Sequence, residues 1–366
     1  MRILALTESR SSKVAKPLQE IENSDTVQVD TSFNIVKRYL HFILLVKDKI
    51  NKRRPDILLA NRDGIICFIA AIVSIYYQIP IIIRLGGDPW EAHNQKIQEH
   101  KSRRNIPQYI KYQCLKTLNK ISFRQSKGYI VVSEDLKDIV IEKRNISPRQ
   151  VIVVNSSIDS DSFLSRMDPN YEFRNIPVDK YDITILTVTN LEFYGKFKGI
   201  CTILPSIKKF LKQYNNAIYI IAGEGMYYEK MISKINKDIT DKEIRKRIFT
   251  PGHINNIATL YDKADIFLYI SFLDGYPNVI LEAQVAELPV ITNDRYGMSE
   301  QINHGETGFL VDPIPIEIKK CLDTISNNQE IRRTLGKNAK KKVIEQNNPS
   351  QVADDLYTAI NEIMEN

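Results

Sequence analysis

Two carboxylates, Asp274 and Glu282, lie close together in the stretch 271–294. Asp274-Gly275 is a turn signal, and Pro277-Asn278 can open a helix. The first acid therefore falls in a loop, and the second about one turn into a helix. An apolar run at 264–270 precedes them and another at 288–292 follows. The pattern is one βαβ crossover with both acids at the carboxyl end of a strand, the edge where open α/β sheets bind ligands. A helix amino terminus attracts anions, so carboxylates placed there need a different partner. Hydroxyls of a sugar or ribose fit, because ionised carboxylates are strong hydrogen-bond acceptors.

Further polar groups stand at the ends of other apolar runs. In 220–227 a strand runs into Gly223-Glu224-Gly225. Glycines there let backbone amides approach a phosphate or a flat ring, although a tight turn needs them as well. The dinucleotide fingerprint requires a third glycine where Tyr228 stands, which argues against NAD. After the run 183–188 come Asn190, Lys196 and Lys198 in a predicted loop. Lysines at that edge suit a diphosphate, and a solvated loop accounts for them equally. Gly86, Gly87 and Asp88 follow the run 81–84 beside Trp90, the single tryptophan. A substrate-facing loop and a turn plugged by tryptophan both fit.

The elements that must position these groups alternate along the chain. Short β-branched runs at 3–6, 56–60, 81–84, 128–133 and 151–154 are separated by helical patterns, which implies a parallel sheet covered on both faces. The polar stretch 165–177 breaks the rhythm and reads as a linker. Alternation resumes at 183–189, 217–222, 247–250, 266–270 and 290–292, and from about Ile316 the chain is helical. The expected fold is α/β: two Rossmann-like domains in tandem over 1–160 and 161–345, with a helix at 346–366 crossing back to the first domain. The uncharged stretch 64–83 is long enough for a bilayer, but Pro80 interrupts it. A buried helix over 65–77 followed by a strand fits better.

The 366 residues include 43% hydrophobic ones, enough for two cores. A net charge of +7 favours an anionic partner, with simple solubility as the alternative. The segment 94–127 carries nine Lys and Arg residues, among them Lys96, Arg103, Arg104, Lys111, Lys116 and Lys120, against one acid, Glu99. With its interleaved apolar residues it suits an anionic membrane surface or an ordinary solvated helix face. It has no recognised nucleic-acid motif, so no nucleic-acid partner is expected. The four cysteines are far apart, so neither zinc site nor disulfide framework is indicated. Asp159-Ser160-Asp161 reads as a chance match to an acidic metal motif.

Taken together these segments resemble the retaining glycosyltransferases of family 4, which have the two-Rossmann GT-B fold. The loop from Asp274 to Glu282 carries the family's acid, seven residues, acid pattern with Gly275-Tyr276-Pro277-Asn278 inside it. Val131-Val132-Ser133-Glu134, Gly297, Glu300, Gly305 and Thr307-Gly308 match flanking family segments. The resemblance implies that Glu282 holds the ribose of a nucleotide sugar and that Asp274 contacts the transferred sugar, assisted by backbone amides at Gly275, Tyr276, Pro277 and Asn278. It implies that Lys196 or Lys198 neutralises the leaving diphosphate, with Gly223, Gly225, His253 and Ile254 also on the donor side, and Asn190 is expected there too. Gly86, Gly87 and Asp88 would lie on the acceptor side, with Asp88 assisting the acceptor hydroxyl. The implied reaction moves a hexose from a UDP- or GDP-linked donor to a glycan or lipid-linked acceptor with no obligate metal, in the cytoplasm at the inner face of the membrane. Three departures stand out: Asp274 is one methylene shorter than the family's glutamate, Asn190 stands where an arginine is common, and the loop 7–12 lacks the usual glycines. They leave a nucleotide-sugar epimerase or a non-catalytic sugar-nucleotide-binding partner subunit as alternatives.

Overall fold

The computed structural model describes residues 1–8, 12–173 and 175–365, the side chains of 12–15 aside. In the loop 7–12, positions 9–11 lie outside the described residues. The chain forms two compact units, Met1–Ser157 with Asn347–Asn366, and Ile158–Gln346.

The first unit runs β1 (Ile3–Thr7), α1 (Ser12–Glu20), β2 (Ser24–Gln28), α2 (Ile35–Lys52), β3 (Ile57–Asn61), α3 (Ile65–Tyr77), β4 (Ile81–Leu85), α4 (Pro89–Ser102), α5 (Ile106–Gln125), β5 (Ser126–Val131), α6 (Glu134–Arg144) and β6 (Val151–Val153). Its parallel sheet is ordered β2-β1-β3-β4-β5-β6. Every residue of β1 and β4 is buried, as a sheet covered on both faces requires. The C-terminal helix Pro349–Glu365 packs Val352, Leu356, Ile360 and Ile363 into the core that holds Ile3, Ile57, Ile82 and Ile130. Their helical spacing makes one apolar stripe, and each such burial contributes about 1.5–3 kcal/mol at most. The stretch 64–83 is α3 followed by β4, as the proline implied. Among the described residues no helix is long and apolar enough to cross a membrane. β2, with the sequence SDTVQ, was missed: it is an edge strand with only Val27 buried, so it shows no apolar run.

The second unit runs α7 (Ser160–Leu164), β7 (Ile183–Val188), α8 (Tyr194–Gln213), β8 (Ala217–Ala222), α9 (Tyr228–Asp238), α10 (Lys242–Arg245), β9 (Ile248–Gly252), α11 (Ile257–Asp262), β10 (Ile266–Tyr269), α12 (Asn278–Val285), β11 (Val290–Asn293), α13 (Gly297–Gln301), β12 (Gly308–Val311), α14 (Pro315–Asn327) and α15 (Gln329–Gln346). Its parallel sheet is ordered β12-β11-β10-β7-β8-β9. The strand order therefore reverses between β7 and β10, and such a switch point opens a crevice at the carboxyl edge. The stretch 165–177 falls inside this unit rather than between units, with Arg174 outside the described residues. It is fastened where Asp168 N donates to Thr259 Oγ1 at 2.8 Å. Asp159 caps α7 by accepting from Ser162 N, a structural use for that acid.

Candidate functional site

The segments that follow β7 and β10 flank the switch point, and they carry Lys196 and Asp274. The two lysines are not in a loop at the sheet edge, as expected from the sequence, but in the first turns of α8. Gly195 and Gly199 allow this. A side chain at Gly199 would put its Cβ 1.8 Å from Ile270 O, and one at Gly195 would press 3.0 Å from Leu273 Cβ. The start of α8 therefore lies hard against the end of β10, and Lys196 reaches Asp274 with its Nζ 3.0 Å from Oδ1. Lys198 points elsewhere, its Nζ lying 4.3 Å from the centre of the Phe272 ring.

Asp274 is also held by its own strand. Tyr269 Oη donates to Oδ2 at 2.5 Å and Ser271 Oγ donates to the same oxygen at 2.6 Å. Burial alone would raise its carboxyl, but the Lys196 ammonium and the two hydroxyls outweigh burial and hold it below the ordinary carboxylate value. Burial likewise works against the charge on Lys196, and Asp274 with Tyr269 overcomes it, so that ammonium is held above its usual value. Both groups are charged at neutral pH. The shorter acid is thus held toward the sheet by three donors.

Neither Tyr269 nor Ser271 was singled out from sequence, because Tyr269 sits in the apolar run 264–270 that reads as core and Ser271 directly follows it. Their spacing was the available signal: alternate strand positions face one side, here the side of Asp274. Asn293 was missed for the same reason. At the end of β11 its Nδ2 donates to Ser271 O and its Oδ1 accepts from Ser271 N, both at 3.0 Å, so it clamps the loop's backbone.

Glu282 lies on α12, where it accepts from Tyr261 Oη at 3.1 Å. Tyr261 is buried, and burial followed by the Glu282 charge pushes its phenol upward. The turn 275–278 leading into α12 is tied from behind. Gly297 N donates to Gly275 O at 2.7 Å and Gln301 Nε2 donates to Pro277 O at 3.0 Å. Tyr276 and Pro277 are buried, and Asn278 Oδ1 is buried with no donor among the described residues.

The loops after β7, β8 and β9 interlock beside this centre. Gly223 and Gly225 have φ of +134° and +147°, and added Cβ atoms would fall 1.7 Å from Thr189 O and 2.4 Å from Leu191 C. Only glycine fits such a backbone and such an approach. Gly223 N donates to Gly252 O, and Leu191 N donates to Glu224 O, both at 2.8 Å. Glu224 accepts from His253 N at 3.0 Å, which fixes the turn holding His253 and Ile254. Asn190 accepts from Glu192 N at 2.9 Å and shapes the approach to α8. Tyr228, where a dinucleotide site would have glycine, instead donates to Thr250 O at 2.7 Å.

In the first unit, Asp88 caps α4 by accepting from Trp90 N at 2.8 Å and Glu91 N at 3.0 Å. Burial raises its carboxyl pKa despite those bonds. A Cβ at Gly86 or Gly87 would meet no atom within 4 Å, so packing does not demand glycine there. The basic segment 94–127 forms most of α4 and all of α5, which pack as an antiparallel hairpin: Lys116 bonds Asn94 at 3.1 Å and His100 stacks on Tyr112 at 5.5 Å. Sequence reading missed the widest apolar exposure, the outer face of α2, where Ile35, Val36, Leu40 and Leu44 are each more than half exposed.

Two parallel α/β units in tandem, the second with acids and a lysine at its switch point, define the GT-B class of fold. Residues 170–342 match the family model described as glycosyl transferases group 1. The match spans most of the second unit, and the chain is similar to glycosyltransferases over most of its length. It is 23% identical over 85% of its length to the capsular polysaccharide biosynthesis glycosyltransferase CapM of Staphylococcus aureus, 77% of which is covered. It is 28% identical over 88% of its length to a Campylobacter jejuni α-1,4-N-acetyl-D-galactosaminyltransferase whose name specifies a diphosphoundecaprenol-linked acceptor, 79% of which is covered. Among solved structures, HepE of Anabaena in complex with UDP superposes with a TM-score of 0.69 at 16% identity, over 99% of this chain and 100% of that one. A glycosyltransferase from Rickettsia africae superposes with a TM-score of 0.72 at 16% identity, over 100% of this chain and 99% of that one.

Proposed function

We propose that the chain is a retaining hexosyltransferase of family 4 that takes its sugar from a UDP- or GDP-linked donor bound to the second unit. Its acceptor is the hydroxyl of a lipid-linked glycan bound to the first unit. The observation that carries this reading is the buried Lys196–Asp274 pair at the switch point. Departure of a nucleoside diphosphate leaves negative charge on phosphate oxygens, and a fixed ammonium in a site shielded from water stabilises that charge strongly. Lys196 supplies the ammonium and Asp274 positions it. An ammonium carries three donors, so the bond to Asp274 leaves others for phosphate. Glu282 accepts from the ribose hydroxyls, and the backbone N–H groups of 275–278, Pro277 aside, meet the transferred sugar and phosphate at the start of α12. With Asp274 held by three donors, the site favours leaving-group stabilisation over a free carboxylate base, which supports retention.

The names of the relatives support a diphospholipid-linked acceptor, and the UDP complexes support a UDP-sugar. Gly86 and Gly87 support acceptor approach, because a glycine that neither packing nor φ requires leaves open surface beside Asp88. The apolar outer face of α2, with Lys37 and Lys47 exposed beside it, supports peripheral binding to an anionic membrane. The test is a thermal-shift screen of UDP- and GDP-sugars, followed by transfer to a diphospholipid-linked glycan with the product anomer read by NMR. One donor should stabilise the chain and deliver its sugar with configuration retained. Conversion of the donor to its epimer, or binding without turnover on any acceptor, contradicts the proposal.

A further inference from the structure

A second cluster of cations lies within the first unit. The start of α4, the second half of α5 and the end of α6 enclose a cavity of about 240 Å³. Its walls carry Lys116, Lys120, Lys143 and Arg144, and Trp90 and Phe123 contribute apolar surface. Among the described residues no carboxylate lines it. Two carboxylates stand behind its walls: Asp63 bonds the lining His93 Nε2 at 3.2 Å and Asn119 Nδ2 at 3.0 Å, and Asp88 caps α4.

The cations are held by largely neutral neighbours. Arg144 Nε donates to Tyr129 Oη and its Nη2 to Phe123 O, each at 3.0 Å. Those bonds fix the plane of the guanidinium and leave its other N–H groups unused by them. Lys116 bonds the amide oxygen of Asn94, and Lys143 meets the exposed Glu142 at 3.3 Å. Four positive charges gathered around one cavity repel each other, and the arrangement is compensated best by a multiply charged anion. Arginine held in a fixed plane and lysines as point charges are the usual phosphate binders. The cavity is smaller than the roughly 300–1,000 Å³ of sites that enclose a whole small-molecule ligand. It suits a head group.

We propose that this cavity binds a diphosphate group. Resting on the acceptor reading above, that group is the diphosphate joining the acceptor glycan to its lipid, so the first unit measures acceptors from this anchor. The edges of Trp90 and Phe123, with ring centres 5.4 Å apart, would meet the apolar end of the lipid or the face of the first sugar.

Trp90 is the only tryptophan in the sequence and lines this cavity, so its fluorescence reports on it. The experiment titrates the full chain with inorganic pyrophosphate, with a short prenyl diphosphate and with phosphatidylglycerol vesicles, against sodium chloride at matched ionic strength. The two diphosphates should give a saturable change that chloride does not. Lys116→Ala and Lys120→Ala should each weaken it about tenfold, the loss expected for one charge-assisted hydrogen bond. Lys196→Ala should leave it unchanged. No saturable change with either diphosphate, an unaltered titration in the Lys116→Ala/Lys120→Ala double variant, or a response confined to the vesicles overturns the proposal. A normal titration in a chain that transfers no sugar keeps the diphosphate site and removes only the acceptor reading.

Discussion

Replacing Asp274 by asparagine removes the charge that holds Lys196 while keeping the size of the side chain. The two groups are 3.0 Å apart and each side chain is 16% exposed, so water screens the pair poorly. With an effective dielectric of about 20, their attraction at that distance is about 5 kcal/mol. Removing one partner of a buried pair strands the other, at a measured cost of about 3–5 kcal/mol. The asparagine can still accept from Ser271 or Tyr269, so the loss should lie in that range and not above it. A domain of this size loses about 2–4 °C per kcal/mol, which places the fall at about 6–20 °C. Scanning calorimetry of the wild type, Asp274→Asn, Lys196→Met and the double variant measures it, with a coupling of about 2 kcal/mol or more expected from the cycle. The pH dependence follows from the two shifts. The Asp274 carboxyl is held low, so its contribution is complete above about pH 4 and is lost as pH falls through the lower folded value. The Lys196 ammonium is held above its ordinary 10.5, so its contribution is complete below that value and is lost only as pH rises through the higher folded one. The gap between wild type and variant should therefore be constant from about pH 5 to about pH 9. A variant within 1 kcal/mol of wild type, or strictly additive single variants, would refute the ion-pair account.

Three more expectations follow from the same geometry. Glu282→Ala should weaken UDP binding about tenfold or more by calorimetry and abolish discrimination against 2′-deoxy-UDP; undiminished discrimination would move the ribose elsewhere. Gly223→Ala, with its Cβ 1.7 Å from Thr189 O and φ of +134°, should cost more than about 3 kcal/mol, and a wild-type melting temperature would show that these loops are not interlocked. Changing Val36, Leu40 and Leu44 together to serine should reduce co-sedimentation with phosphatidylglycerol vesicles about tenfold or more without lowering the melting temperature, because all three are more than half exposed. Equal sedimentation would remove α2 from any membrane contact.

The features legible in the sequence were those written in local chemistry. β-branched runs between helical patterns identified ten of the strands, and Gln78-Ile79-Pro80 ended α3 where proline must. β2 and β12 were passed over as strands because edge strands bury less and need no continuous apolar run. The loop from Asp274 to Glu282 was visible because turn and helix-start residues surround its acids. What those acids touch was not visible. Tyr269 looks like core, Ser271 and Asn293 like strand ends, and the segment around Lys196 like a loop. Their roles come from the close approach of α8 to β10, a contact between segments far apart in the chain, which local patterns do not encode.

The central claim is that Lys196, held by Asp274, neutralises the leaving diphosphate. Single-turnover sugar transfer, with the cognate donor saturating, tests it in Lys196→Ala and Lys198→Ala side by side. Loss of one fixed charge stabiliser costs about 10²–10³ in rate, so Lys196→Ala should fall by that factor while Lys198→Ala stays within about threefold of wild type. Equal rates in the two variants, or a Lys196→Ala enzyme within about tenfold of wild type, would contradict the account.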